Sequence, residues 1–305
     1  MNADLLPAPE LSWDLAGDIE QLLQFHFMQN ALAAGTVVAV MCGVMGYFVV
    51  LRGQTFAAHT LSQVGFPGAA GAALAGVAPL DGLLVFCVAS ACGIAALSAP
   101  LDQGRRAESA AIGSILAASV ALGFVFASLY QGYIGGVDAF LFGTFLGIDD
   151  HQVVALVVVT IAALAVLAVI GRPLLFASIE PDVAAARGVP VCALSVAFLI
   201  LLGISVATAA QITGTLLVFA LLVTPAATAQ QLTTRPAAAL ALAVGIGILV
   251  VWLGMGIAYF RDDPVGFAVT AVAFGLYLLA RAGRRLGARA PLPWRRSSPA
   301  AGAPA

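Results

Sequence analysis

The feature that most constrains this chain is a series of long apolar runs. About 20 consecutive apolar residues let an α-helix cross a bilayer. Nine such runs lie at roughly 28–50, 57–77, 81–100, 109–130, 151–170, 191–209, 213–231, 237–258 and 264–281. Of 305 residues, 62% are hydrophobic and only 9% are charged, which excludes a water-soluble globular fold. The sequence therefore predicts an all-α polytopic membrane protein with about nine transmembrane helices, eight being the alternative count.

The placement of arginine predicts the orientation of these helices. All 13 basic residues are arginines. With nine crossings and a cytoplasmic C-terminus, only Arg261 faces outwards and the other 12 lie in cytoplasmic segments. Cytoplasmic connections are rich in basic residues, so we expect the N-terminus outside and the C-terminus inside.

Three domains follow from composition. Residues 1–27 are acidic with leucines at helical spacing, which predicts an amphipathic helix on the membrane surface. Residues 28–282 form the transmembrane domain, in which Tyr133–Ile148 is too short to span and suits a surface or re-entrant helix. Residues 283–305 are expected to be a disordered basic tail that attracts anionic membrane lipid; nucleic-acid binding is not expected.

The connection at residues 171–190 carries the signals of a short helix. Proline and acids at Glu180-Pro181-Asp182 suit a helix start, and Arg187-Gly188 suits its end. This predicts one short cytoplasmic helix between the fifth and sixth spans. It is either a plain connector or a docking element for a cytoplasmic partner, which would meet Glu180, Asp182, Ala185 and Gly188.

Charged residues are nearly absent from the spans. All 15 acidic residues lie at span ends or in connections, which argues against a proton- or sodium-coupled carrier. The chain has no lysine, so it cannot supply the lysine of an ATP-binding P-loop. No HExxH motif or pair of aspartates within the spans supports an intramembrane enzyme.

His59 is the exceptional polar residue, at the start of the second span. Gln63 is four residues on and shares its helix face. An imidazole and an amide could bind a cation together, and imidazole suits zinc, copper, iron or nickel. Gly65-Phe66-Pro67-Gly68 follows and predicts a broken helix with exposed carbonyls. The alternative is a neutral, hydrogen-bonded histidine at an interface.

The seventh span contains Thr224-Pro225-Ala226-Ala227-Thr228. Pro225 removes a backbone hydrogen bond and predicts a kink, so Thr224, Pro225 and Thr228 could line a gate. The same small residues also allow close helix packing, which is the other interpretation. Upstream, Gln211 is either a polar pathway residue or part of an outer turn.

Three segments together resemble a known family. They read LRGQTFAAHTLSQVGFPG (51–68), IEPDVAAARGVPV (179–191) and QITGTLLVFALLVTPAATAQQL (211–232), with FLFG at 140–143 in addition. The chain resembles the membrane permease subunits of bacterial ABC importers for zinc and manganese, over roughly residues 28–282. This resemblance implies a multi-pass protein of the bacterial inner membrane that works as a homodimer and is not itself an enzyme. Its other partners would be a cytoplasmic ABC ATPase and an extracytoplasmic metal-binding protein.

The resemblance also implies roles for particular residues. Residues 179–191 match the coupling region that meets the ATPase. In the first segment, many relatives carry Asp-x-x-x-His on the metal path, where this chain has His59 and Gln63. The softer pair favours zinc over manganese. Zinc or manganese would be the transported substrate, with no resident cofactor. The alternatives are an ABC permease for a siderophore or cobalamin-like ligand, or a secondary carrier.

Overall fold

The computed structural model describes residues 24–98, 104–130, 147–261 and 264–288. The helices in these ranges are α1 (His26–Leu51), α2 (Thr55–Ala75), α3 (Pro79–Ser98), α4 (Gly104–Leu129), α5 (Asp150–Ile179), α6 (Pro181–Ala186), α7 (Val191–Thr213), α8 (Thr215–Leu232), α9 (Pro236–Arg261) and α10 (Val265–Ala288). No strand occurs within the described ranges. The predicted all-α fold is confirmed.

Eight helices of the described part are long and apolar enough to cross a membrane: α1, α3, α4, α5, α7, α8, α9 and α10. The remaining long helix, α2, has 21 residues but contains no 18-residue stretch as apolar as those of the other eight. The predicted short helix between the fifth and sixth long helices is confirmed as α6, which has six residues.

The bundle has an inner and an outer set of helices. α1, α2, α7 and α8 are the most buried, and α2 packs against α3, α4, α7 and α8. The outer helices expose large apolar side chains, such as Ile161 and Val169 of α5, which are 62% and 79% exposed. Apolar surface on this scale is typical of a membrane protein, where these side chains face lipid.

Glycines bring the inner helices close to their neighbours. A Cβ at Gly46 of α1 would lie 1.8 Å from the carbonyl oxygen of Leu222 in α8. A Cβ at Gly68 of α2 would lie 2.7 Å from the carbonyl oxygen of Gly82 in α3. Small residues hold transmembrane helices together because they let backbones approach and gain van der Waals contact.

The continuity of α2 overturns one prediction. The expected break at Gly65-Phe66-Pro67-Gly68 is wrong, since α2 continues as one helix from Thr55 to Ala75 with Pro67 inside it. Gly65 serves close packing instead, because a Cβ there would lie 2.9 Å from Cγ2 of Thr215 in α8. Residues that are typical of a helix break here allow contact with neighbouring helices.

The connection 171–190 is also shorter than predicted. α5 does not end near residue 170 but continues through Pro173 to Ile179. Leu174 and Ala177 are 0% and 4% exposed, so the last turns of α5 are held by packing. Burial of these side chains outweighs the backbone hydrogen bond that Pro173 removes.

Several predictions fall outside the described residues. They concern most of the acidic segment 1–27, residues 133–146 of the proposed surface or re-entrant stretch, and the tail from residue 289 onwards. α10 runs to Ala288, six residues past the boundary expected at 282. The orientation in the membrane stays a prediction.

Candidate functional site

The short helix α6 projects from one end of the bundle. Of its side chains only Ala184 is buried; Asp182, Val183 and Ala185 are exposed, as is Gly188 just beyond it. Pro181 occupies the first helical position and Glu180 precedes it as the N-cap, as the sequence predicted. An exposed, well-formed helix at a bundle end is suited to docking.

The end of α6 is fixed by backbone geometry. Gly188 has φ +80°, a left-handed conformation that glycine adopts without strain. The amide of Val189 then donates to the carbonyl of Ala184 over 3.0 Å, which closes the helix. The Arg187 guanidinium lies 5.8 Å from the centre of the Phe176 ring in α5. These contacts hold α6 against the end of α5.

His59 and Gln63 are the accessible positions of an otherwise enclosed stretch of helix. From residue 57 to 70 every position of α2 is buried except these two, which are half-buried. They are one helical turn apart and share a face, as the sequence predicted. The structure therefore places this pair where a polar ligand could reach the interior of the bundle.

One half-buried side chain of α8, Phe219, lies against His59. Phe219, Val223 and Thr224 recur at helical spacing and are partly accessible. The rings of His59 and Phe219 meet edge to face, with centroids 4.7 Å apart. We call these two residues, with Gln63, Val223 and Thr224, the α2–α8 face.

Three buried polar atoms of α2 and α8 lack a hydrogen-bond partner. Nδ1 of His59 and the hydroxyls of Thr60 and Thr215 are buried without a hydrogen-bond partner. Buried polar atoms are nearly always paired, so each of these calls for an explanation. A hydrogen-bonded interface histidine, the alternative given by the sequence, does not fit Nδ1. An unpaired Nδ1 is consistent with a nitrogen that binds a passing ligand, or that finds a hydrogen-bond partner in another conformation of the protein.

The proline region of α8 is mostly enclosed. α8 is continuous through Pro225, and both Pro225 and Thr228 are buried. The Thr228 hydroxyl donates to the carbonyl of Thr224 over 2.7 Å, a bond within the helix that favours bending. Of the three residues suggested for a gate, only Thr224 lies on the α2–α8 face. Packing against α1 at Gly46 accounts for the burial of this region.

Gln211 lies in the last turn of α7 and is half-buried. The turn that follows it is a single residue, Gly214, with φ +77°. Gln211 is thus part of a helix end, and the outer turn expected at this point is reduced to one glycine. Within the described ranges, no group of three or more His, Cys, Asp or Glu side chains could hold a metal ion.

Sequence reasoning missed the role of Arg52. The sequence indicates only that Arg52 lies on the cytoplasmic side, whereas in the structure its guanidinium hydrogen-bonds side chains 126 and 143 residues further along the chain. No local pattern encodes such contacts. The unpaired hydroxyls of Thr60 and Thr215 have no sequence signal for the same reason, since they depend on how the helices pack.

Comparison with known proteins identifies relatives along nearly the whole chain. A manganese transport system membrane protein, MntC of Halalkalibacterium halodurans, is 32% identical over 263 residues, covering 86% of this chain and 88% of that protein. The manganese import system permease protein ScaB of Streptococcus parasanguinis is 29% identical over 264 residues, covering 86% and 92%.

Solved structures share the fold. PsaBC from Streptococcus pneumoniae, in complex with Fab, matches with a TM-score of 0.77 and 28% identity, covering 87% of this chain and 94% of that one. An inward-facing conformation of a putative metal-chelate type ABC transporter matches with a TM-score of 0.70 and 17% identity, covering 91% and 93%. The latter likeness concerns the fold alone.

The family comparison spans the described bundle. The model described as the ABC 3 transport family matches residues 24–284, which include α1 to α9 and most of α10. The chain belongs to the ABC 3 transport family.

Proposed function

We propose that this chain is the membrane permease of an ATP-driven importer for a divalent transition metal ion. The observation that carries the proposal is the accessible pair His59 and Gln63 on the most enclosed helix. The pair offers an imidazole and an amide where the other positions of α2 from 57 to 70 are buried. The manganese transport named for the relatives supports a metal ion as the cargo.

Zinc and manganese are both candidates for the ion, and different observations favour each. The names of the relatives favour manganese. The replacement of the family's Asp-x-x-x-His by His59 and Gln63 removes a carboxylate, the ligand type that suits manganese, and leaves an imidazole, which suits zinc. A pair without a carboxylate binds a cation weakly, which a transport path requires for release.

Energy for transport would come from ATP hydrolysis on a separate cytoplasmic subunit. The exposed surface of α6, with Glu180, Asp182, Ala185 and Gly188, is the proposed docking site for that subunit. Because α6 is a short helix held at both ends, a movement of the ATPase against it would be passed on to the permease. In this family context we propose coupling, rather than simple connection, as the role of α6.

The complete importer would contain further partners. We propose a second copy of this permease, which would cover the α2–α8 face, and an extracytoplasmic metal-binding protein that delivers the ion. The complex would lie in the bacterial inner membrane with the α6 end in the cytoplasm, the side favoured by the arginines. Alternating access would then open the path to each side in turn.

The test is ATP-dependent uptake in liposomes that contain the chain with its ATPase and binding protein. Labelled zinc and manganese are supplied together and singly. We expect uptake of at least one ion only when ATP is present. Hydrolysis that the binding protein stimulates without any metal uptake would contradict the proposal and favour the siderophore or cobalamin-like alternative.

A further inference from the structure

Arg52 joins three parts of the bundle at the α6 end. It follows the last residue of α1 and is half-buried. Its Nε donates to Oε1 of Gln54, the N-cap residue of α2, over 3.2 Å. One terminal nitrogen donates to the hydroxyl of Ser178 in α5 over 3.1 Å, and the other to that of Ser195 in α7 over 2.5 Å. The planar guanidinium suits this arrangement because it offers donors in a fixed fork.

The two serines stand on either side of the docking helix. Ser178 lies three residues before α6 begins, and Ser195 lies in the second turn of α7, which follows it. The Ser178 hydroxyl donates to the carbonyl of Leu174 over 2.5 Å, so its oxygen is oriented to accept from Arg52. Phe198 of α7 supports the guanidinium from one side, 5.6 Å from its ring centre. A displacement of α6 therefore acts on both serine contacts of one side chain.

The third contact leads to the proposed metal path. The carbonyl of Gln54 accepts the first backbone bond of α2, from the amide of Ala58 over 3.0 Å. His59 lies five residues beyond Gln54, about 7 Å along a helix that rises 1.5 Å per residue. Because α2 is one unbroken helix, a shift of its first turn is carried to His59 and Gln63.

Space is available for Arg52 to move. A cavity of about 580 Å³ is lined by Arg52, Gln54 and Ser195, with Phe56 and Ser109 among the others. It lies between the starts of α2 and α7, α4, and the end of α3. The guanidinium can thus exchange partners without unpacking the bundle.

We propose that Arg52 is the positioning residue that transmits movement of the docking helix α6 to the helix that carries His59 and Gln63. This inference rests on the proposed function. In this role Arg52 does not contact the ion. Its hydrogen bonds make the position of α2 depend on the positions of the end of α5 and the start of α7.

The test compares ion transport with ATP hydrolysis in the reconstituted complex with ATPase and binding protein. Arg52→Gln removes the forked cation, and Ser195→Ala removes one acceptor. Ser195→Thr keeps the hydroxyl and is the matched control. Arg235→Gln controls for the loss of an exposed arginine between α8 and α9.

We expect Arg52→Gln to lower the number of ions moved per ATP about ten-fold, within the range of couplings between distant sites, while stimulated hydrolysis persists. Ser195→Ala should lower the ratio about five-fold, as for the loss of one hydrogen bond, and Ser195→Thr should restore it. Arg235→Gln should leave the ratio unchanged.

An Arg52→Gln complex that moves as many ions per ATP as the wild type would overturn the inference. Equal losses of ATP hydrolysis and ion uptake would also overturn it, because they would indicate a structural role for Arg52. If the Arg52→Gln protein fails to insert into the membrane, the serine variants decide. Equal numbers of ions moved per ATP by Ser195→Ala and Ser195→Thr would then overturn the inference. A wild-type complex that moves no metal would instead contradict the proposed function.

Discussion

The imidazole of His59 lies edge to face against the ring of Phe219, with 4.7 Å between the two centroids. This contact ties the candidate metal ligand of α2 to α8, so the position of the imidazole depends on both helices. The buried Nδ1 of the same ring has no partner. A movement of α2 relative to α8 would therefore change what surrounds this nitrogen.

Replacement of His59 by alanine should lower metal uptake at least about ten-fold, since loss of a group that merely orients a metal ligand already costs that much. The complex should still assemble, because the side chain is only half-buried. Uptake of labelled metal into liposomes measures the effect, with His151→Ala, an exposed histidine outside the α2–α8 face, as the control. Normal uptake by His59→Ala would remove His59 from the path.

The double change His59→Asp with Gln63→His gives this chain the Asp-x-x-x-His pattern that the resemblance implies for many relatives. A carboxylate suits manganese better than an imidazole does, so the ratio of manganese to zinc uptake should rise by about ten-fold or more. Competition between the two labelled ions measures this ratio. An unchanged ratio would mean that the pair does not select the ion.

Two substitutions at Gly188 separate backbone conformation from side-chain chemistry. At φ +80°, Gly188→Val should strain the end of α6 by about 1–2 kcal/mol, whereas asparagine tolerates this conformation. We expect Gly188→Val to lower ion uptake per ATP hydrolysed and Gly188→Asn to retain it. Equal behaviour of the two variants in reconstituted complexes would count against a fixed α6 end as a requirement for coupling.

Substitution of Gly46 by alanine should destabilise the bundle. The added Cβ would lie 1.8 Å from the Leu222 carbonyl oxygen, so α1 and α8 must separate, at a cost of about 1–3 kcal/mol or more. Gly256→Ala is the control, since its Cβ would meet no atom within 4 Å. Thermal unfolding of the detergent-solubilised proteins should show a lower midpoint for Gly46→Ala alone; equal midpoints would contradict the close contact.

Thr215→Val tests the unsatisfied hydroxyl at the α2–α8 contact. Valine has the same shape as threonine but lacks the buried unpaired oxygen. The substitution should therefore stabilise this conformation by about 1–3 kcal/mol. The Thr213 hydroxyl donates to the carbonyl of Ala209 over 3.0 Å, so Thr213→Val should bring no such gain. Unfolding midpoints measure both. A fall in the midpoint of Thr215→Val would show that its hydroxyl is paired.

Local signals made α6 predictable from the sequence. Pro181 at the start and Gly188 at the end act through their own backbones, so neighbouring residues suffice to place the helix. The apolar runs predicted the long helices in the same way, because a bilayer requires a fixed length. The shared face of His59 and Gln63 followed from helical spacing alone.

Tertiary packing decided what the sequence could not predict. Pro173 and Gly65 are typical of helix ends or breaks, yet Leu174 is buried and Gly65 meets Thr215, so α5 and α2 continue. The contacts of Arg52 involve residues more than 100 positions away and follow only from the folded bundle.

The modest apolarity of α2 bears on how the protein enters the membrane. A segment that lipid accepts poorly inserts stably only when other helices shield it, and α2 is enclosed by α3, α4, α7 and α8. Two of these helices are synthesised well over 100 residues later. We therefore expect the helix that carries His59 and Gln63 to reach its final depth late in biogenesis, once the second half of the chain has been made.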